Sequence, residues 1–389
     1  MKKSYEIDMT SGPLLGKILL FSIPLMLSGI LQLLFNAADI IVVGRFAGSG
    51  ALAAVGSTSS LINLLINVFV GLSVGVNVLV ARYYGARKDK DVSETVHTAV
   101  TTSIVSGFIL VVLGILLANP LLRLMGTPED VLSQSVLYMR IYFLGMPVLM
   151  VYNFGAAILR AIGDTRRPLY FLFASGVVNV CLNLFFVVVL GMGVDGVAWA
   201  TVISEHISAF LVLKSLMSAP GALKLDLKQL RIHPRKLKRI VKIGLPAGMQ
   251  GAIFSISNVL IQSSVNSFGS IAMAGNTASS NIEGFVYTAM NAVYQTNLSF
   301  TSQNLGGRKY SRINKIMYIC LGVVTAVGLI LGLTAVAAGD GLLHIYSSDP
   351  EVLRYGMLRL EIICGQPSGR RALRGKGRIK IRSVGVRHE

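Results

Sequence analysis

Long apolar stretches broken by short polar, charge-bearing connections run along almost the whole chain. From Ile243 to Ile282 there is no Asp, Glu, Lys or Arg, and Phe46 to Ala81 is equally bare. A helix crosses the hydrocarbon core of a bilayer with roughly 20 apolar residues, and only a helix satisfies its own backbone there without a partner strand. The pattern therefore predicts membrane-spanning helices near 18–44, 52–80, 97–118, 135–159, 169–190, 196–216, 240–267, 271–300 and 315–338, with a short tenth segment at 351–364. The first apolar segment is too long for a signal h-region and lacks a small-residue cleavage site, so it is expected to remain as a span.

The pattern repeats at an offset of 221–222 residues. "FSIPLMLSGI" at 21–30 faces "IGLPAGMQGA" at 243–252, so Pro24 aligns with Pro246, Asn36 with Asn258 and Phe46 with Phe268. "GSGALAAVG" at 48–56 faces "GSIAMAGNT" at 269–277, and "RYYGARK" at 82–88 faces "QNLGGRK" at 303–309. Two copies that begin on the same side of the membrane form a parallel repeat, related by an axis along the membrane normal. The expected fold is an all-α polytopic membrane protein of two pseudo-symmetric helical bundles, a six-helix repeat whose second copy is incomplete. Its segments are an N-terminal stretch 1–17, a first lobe 18–217, a basic linker 218–238, a partial second lobe 239–364 and a basic tail 365–389.

Composition narrows the class. Charged residues are 14% of the chain, against about 25% in soluble domains, and mean hydropathy is +0.66. A soluble enzyme is excluded. The net charge of +18 would suggest nucleic acid in a soluble protein, but its distribution describes topology. Lys and Arg number three before the first span, four in 82–90, three in 160–167, nine in 214–242 and four in 308–315, while the other side holds Arg45, Arg123, Arg354 and Arg359. The positive-inside rule places the N-terminus and the 214–242 loop in the cytoplasm of a multi-pass cell-membrane protein, with lipid and no nucleic acid as its macroscopic partner. The tail from Gly365 to Glu389 carries eight Lys/Arg and one Glu; it cannot span a membrane, and it reads as an aberrant, frameshifted end or as a basic segment on anionic lipid. Cys181, Cys320 and Cys364 have no metal-ligand spacing, and the five histidines are scattered, so no cofactor is expected.

Polar residues inside spans sketch a pathway, because they face a bundle interior or a water-filled cavity. Ser28, Gln32, Asn36 and Asp39 share one face of the first span, and Asp39 is its only charge. An intramembrane carboxyl of this kind can exchange a proton or bind Na+. Ser175, Asn179 and Asn183 stack on the fifth span, and Thr201, Ser204, Glu205 and Ser208 on the sixth. These offer amide and hydroxyl oxygens to a hard cation or a proton relay, with hydrogen bonding between helices as the competing reading. Ser255, Asn258, Gln262 and Asn266 stripe the seventh span without an acid. Asn281, Thr288, Asn291 and Gln295 line the eighth, with Glu283 near its end. Met273, Met290, Phe285, Tyr287 and Tyr294 would give an adaptable lining for organic cations, or packing.

Taken together and in order, Pro24, Gln32 to Asp39, "VVGRF" at 42–46, "ALAAVG" at 51–56, Gly85, "LRAIGDTRRP" at 159–168, Asn179, Asn183 and "GVDGVAWATVIS" at 193–204 make the chain resemble the MATE (multidrug and toxic compound extrusion) transporters, in their bacterial multidrug branch. The resemblance runs from about Leu15 to Cys364. It implies a monomeric antiporter, not an enzyme, that exports organic cations by alternating access and is driven by Na+ or H+. It further implies a coupling site at Asp39, Asn179, Asn183 and Thr201; the intramembrane positions themselves suggest a substrate cavity to which Gln32, Asn36, Glu205, Asn258, Gln262, Glu283 and Met290 contribute. Many members carry a further acid in the seventh or tenth span; no acid stands near Phe254 here. Two alternatives stay open: a lipid-linked oligosaccharide flippase of the same superfamily, and a non-functional truncated fragment.

Overall fold

The computed structural model describes residues 6–266, 270–345 and 349–364. Among these, the regular structure is helical throughout: α1 (Leu14–Val42), α2 (Gly48–Gly85), α3 (Asp89–Leu124), α4 (Glu129–Leu144), α5 (Met146–Ala161), α6 (Arg166–Asn183), α7 (Val194–Met217), α8 (Pro234–Asn266), α9 (Ser270–Gly306), α10 (Tyr310–Ala337), α11 (Gly339–His344) and α12 (Pro350–Cys364). Seven of the helices are long and apolar enough to cross a membrane, and eight if the bent pair α4–α5 is one span. The all-α polytopic class read from the hydropathy pattern is what forms.

Local chemistry explains the departures from the expected spans. The segment 135–159 is not one rod, because α4 and α5 meet at a 49° bend. Gly145 and Pro147 sit at the break; proline lacks the N–H that would continue the ladder and its ring crowds the preceding turn. Two spans end in π-helical turns, Val43–Ala47 after α1 and Leu184–Val189 after α6. α9 is long but carries many Asn, Thr, Ser and Gln positions, and it is not among the seven. The short tenth segment is α12, whose 15 residues rise only about 22 Å, less than a core thickness of about 30 Å.

Contacts divide the chain into two compact units, one of residues 1–262 with 295–317 and the other of 263–294 with 318–389. That division falls within α8, α9 and α10, not at the 218–238 linker. The first unit has a continuous apolar interior around Phe143, Met146, Met150, Phe154, Ile158 and Leu110. The second is built on Ala278, Ile282, Ala335, Leu343 and Leu360.

Inside the first unit the repeat is visible atom by atom. After α2, the Lys88 N–H donates to Tyr83 O at 3.0 Å and the Arg87 N–H to Tyr84 O at 3.0 Å. After α9, the Lys309 N–H donates to Asn304 O at 2.9 Å and the Arg308 N–H to Leu305 O at 3.3 Å. Both are the C-terminal motif in which a left-handed residue turns the chain to cap orphan carbonyls, and both use arginine there, with φ of 55° at Arg87 and 57° at Arg308. The two helix ends also meet reciprocally. A side chain at Gly85 would run into the Gln303 backbone, and one at Gly306 into the Arg82 backbone. Residue i touching j while the equivalent of j touches that of i is the signature of a two-fold rotation. Small residues also bring α2 onto α8, where Gly71 and Gly75 lie against the backbone around Gly244 and Gly248, the close approach that membrane helices favour.

Candidate functional site

The intramembrane acid sits where α1, α6 and α7 meet. Gly176 on α6 leaves room for the Phe35 ring of α1, which a β-carbon would overlap, so the two helices pack closely enough for their polar faces to touch. Asn183 Nδ2 donates to Asp39 Oδ1 and also, at 3.3 Å, to Asn179 Oδ1. Asn179 Nδ2 in turn donates to Thr201 Oγ1 at 3.4 Å, and that hydroxyl donates to Val197 O at 3.0 Å. The structure thus brings Asp39, Asn183, Asn179 and Thr201 into one hydrogen-bonded chain across three helices. Asn183 is fully buried, and its Oδ1 has no hydrogen-bond partner. An orphan acceptor beside a carboxylate in a low-dielectric interior costs free energy unless a cation or a proton donor joins it. A π turn follows each half of the pair, after α1 and immediately after Asn183, as is frequent where helices are distorted for function.

The remaining positions divide. Ser204 Oγ donates to Thr201 O at 2.8 Å and Ser208 Oγ to Glu205 O at 2.9 Å, so these two bond back to their own helix. Ser175 Oγ reaches across to Ser204 O at 2.8 Å, a tie between α6 and α7. Glu205 is half-buried, and its carboxylate lies against Gly145 at the α4–α5 bend. Tyr138 and Tyr142 are one turn apart on α4 with ring centroids at 6.0 Å. Sequence reasoning passed over this tyrosine pair: its spacing of four is visible along the chain, but which acids on other helices it lies near is not. Gln32 and Asn36 are exposed on α1, and Ser28 Oγ is satisfied by Pro24 O at 2.8 Å.

On the other side of the repeat, Asn258 is exposed on α8, while Ser255 Oγ accepts from Asn67 Nδ2 of α2 at 3.2 Å. The side chains of Gln262, Asn266 and Met273 lie outside the described residues. Met290 is half-buried on α9. Glu283 is not a free acid, since Arg359 of α12 reaches it at 3.0 Å and also donates to Asn276. Its charge is compensated in place, which a count of loop charges assigning Arg359 to topology did not foresee. No three His, Cys, Asp or Glu converge among the described residues.

The segment 159–168 turns out to be a buried turn. Asp164 is fully buried, accepts from the backbone N–H groups of Arg166 and Arg167 at 3.1 Å and lies 2.9 Å from the Arg167 guanidinium. Burial pushes its carboxyl above the usual range, against the opposing pull of those amides and of Arg167. Its work is to start α6 and thereby place Asn179 and Asn183.

A statistical model of the MatE family matches residues 24–185 and again 246–381. The chain belongs to the MatE family. The two matches begin at Pro24 and Pro246, the offset at which the sequence repeats, and the second runs on into the basic tail. Among curated relatives, a probable multidrug resistance protein of Bacillus subtilis, YoeA, is 31% identical over 344 residues, covering 86% of this chain and 74% of its own length. A second from the same organism, YpnP, is 28% identical over 358 residues, covering 90% and 78%. A solved structure described as the outward-facing conformation of a multidrug resistance MATE family transporter of the MOP superfamily superimposes with a TM-score of 0.86 at 22% identity, over 94% of this chain and 81% of that one. At that identity the likeness speaks for the fold, and the resemblance read from the motifs is borne out at the level of the family.

Proposed function

We propose that this MatE protein is an exporter of small organic cations driven by Na+ or H+ entry, with Asp39, Asn179, Asn183 and Thr201 as the coupling site. The observation that carries the reading is the orphan Asn183 Oδ1 beside the Asp39 carboxylate. One anionic and several neutral oxygens suit a monovalent cation or a proton better than a transition metal, which prefers nitrogen or sulfur. The ion neutralises the carboxylate and supplies the missing partner for Asn183, so its arrival and departure change the electrostatic energy of the α1–α6–α7 contact. Rocking of one repeat against the other around such a site gives alternating access, with the N-terminus and the basic linker on the cytoplasmic side. The substrate reading rests on the named activities of the relatives and on the two intramembrane acids of the first lobe, Asp39 and Glu205.

The test is efflux of a fluorescent organic cation from proteoliposomes under an imposed Na+ or pH gradient. Asp39→Asn keeps size and hydrogen bonding but loses the charge, and should lower gradient-driven efflux at least tenfold with unchanged insertion. Full efflux by that variant would make the carboxylate structural and sink the proposed coupling.

A further inference from the structure

The residues before α1 form a feature that the ion site does not use. Glu6 to Gly12 carry no regular structure, yet five consecutive carbonyls, from Asp8 to Gly12, each accept a side-chain donor. Lys17 Nζ donates to Asp8 O at 2.6 Å and to Ser11 O at 2.9 Å, and Asn304 Nδ2 to Met9 O at 3.0 Å. Lys309 Nζ donates to Thr10 O at 2.9 Å, and Arg312 to Ser11 O and Gly12 O at 3.2 Å. Met9 is fully buried. The Ile7 backbone is seated on Gly163, whose φ of 99° and close approach leave no room for a side chain, and the Tyr84 hydroxyl donates to Glu6 at 3.3 Å.

The anchors come from both copies of the repeat. Lys17, Tyr84 and Gly163 belong to the first, Asn304, Lys309 and Arg312 to the second. They surround the end at which the equivalent turns 82–88 and 303–309 meet. Beside it, Gln303 Nε2 donates to Ala161 O at 2.7 Å, Ser299 Oγ to Asn77 Oδ1 at 3.0 Å and Asn77 Nδ2 to Ala157 O at 3.1 Å. Any motion that parts the two copies at this end has to break one set of strap contacts. Apart from buried Met9 with its bond to Asn304 and the part-buried Tyr84–Glu6 bond, the hydrogen bonds holding the strap are exposed to solvent, where each is individually weak.

We infer that residues 6–12 are a releasable strap that holds this end of the transporter closed and lets go of the 304–312 side each time it opens. The inference rests on the exporter reading for its place in a transport cycle, whereas the release itself is measurable without transport. The experiment uses the full chain with Cys181, Cys320 and Cys364 replaced by alanine and a reporter at Met9→Cys, followed by maleimide labelling, with Gln229→Cys as the exposed control. At rest Met9→Cys should react at least tenfold more slowly than the control. Lys309→Gln with Arg312→Gln should speed it at least fivefold, Lys309→Arg with Arg312→Lys should restore slow labelling in a monodisperse protein, and a gradient plus exported cation should speed the parent. Reaction as fast as the control at rest, or equally slow labelling under all conditions, would overturn the strap. Were no gradient to drive export, the exporter reading would fall, and the glutamine variant alone would still decide between a strap that releases and a fixed plug.

Discussion

Asn183 donates to the Asp39 carboxylate while keeping its own oxygen unpartnered, so under the proposed coupling it is the residue that would link folding to ion binding. Asn183→Ala removes both groups and leaves the acid without its donor. A hydrogen bond to a charged group contributes about 1.5–3 kcal/mol, so the variant should melt several degrees lower in a thermal-shift assay. Its Tm should also respond less to Na+ or to pH than that of the parent. The spacing of Asn179 and Asn183 made their shared face legible in the sequence. Which acid they serve was not, because Asp39 comes from a helix far away in the chain. Asp8 shows the same limit at the surface. Hydrogen bonds from Ser11 and Thr10 and the charge of Lys17, outweighing some burial, lower its carboxyl from 3.8 to about 2. A depressed carboxyl stabilises the fold above its unfolded value and loses that contribution as pH falls through its folded value. Hydrogen exchange at the Thr10 amide should therefore become less protected between about pH 4 and 2, and Asp8→Asn should abolish that dependence.

Helices here are positioned by what they omit as much as by what they carry. Gly71 lies so close to Gly248 that a β-carbon would overlap its backbone, and overpacking a tight interior costs about 1–3 kcal/mol. Gly71→Val should lower the melting temperature and folded yield, whereas the same change at Gly56, which has open space, should not. In the second unit α12 meets α9 through a hydrogen bond from Ser279 Oγ to Gly356 O at 2.9 Å, a close backbone approach at Gly275, and the pair of Arg359 with Glu283. Both members of that pair are about one-fifth exposed. Arg359→Gln should cost about 1–3 kcal/mol and speed hydrogen exchange in α12, and Glu283→Gln in the same chain should recover part of the loss by removing the uncompensated charge. Hydropathy located these helices but not the 49° break between α4 and α5, since an apolar run reads alike whether straight or bent, and only Gly145 and Pro147 hint at it.

At the scale of the molecule, orientation is the simplest claim to check. The nine Lys and Arg of 214–242 oppose translocation of that loop, so a membrane-impermeant maleimide should label Gln229→Cys in inverted vesicles and leave it unlabelled in intact cells. The opposite result would reverse the topology. The sequence by itself determined that the chain is helical and membrane-spanning, because lipid leaves a backbone no other way to satisfy its polar groups along a run of that length. It also determined the repeat and the family, which depend on the order and spacing of residues along one dimension. Only the tertiary structure decided that Asp39 closes a chain with Asn183, Asn179 and Thr201, that Arg359 cancels Glu283, and that residues 6–12 bind both copies of the repeat. Each of these is a contact between distant segments, fixed by helix packing at glycines and bends, and a hydrophobic pattern carries no record of which helix faces which.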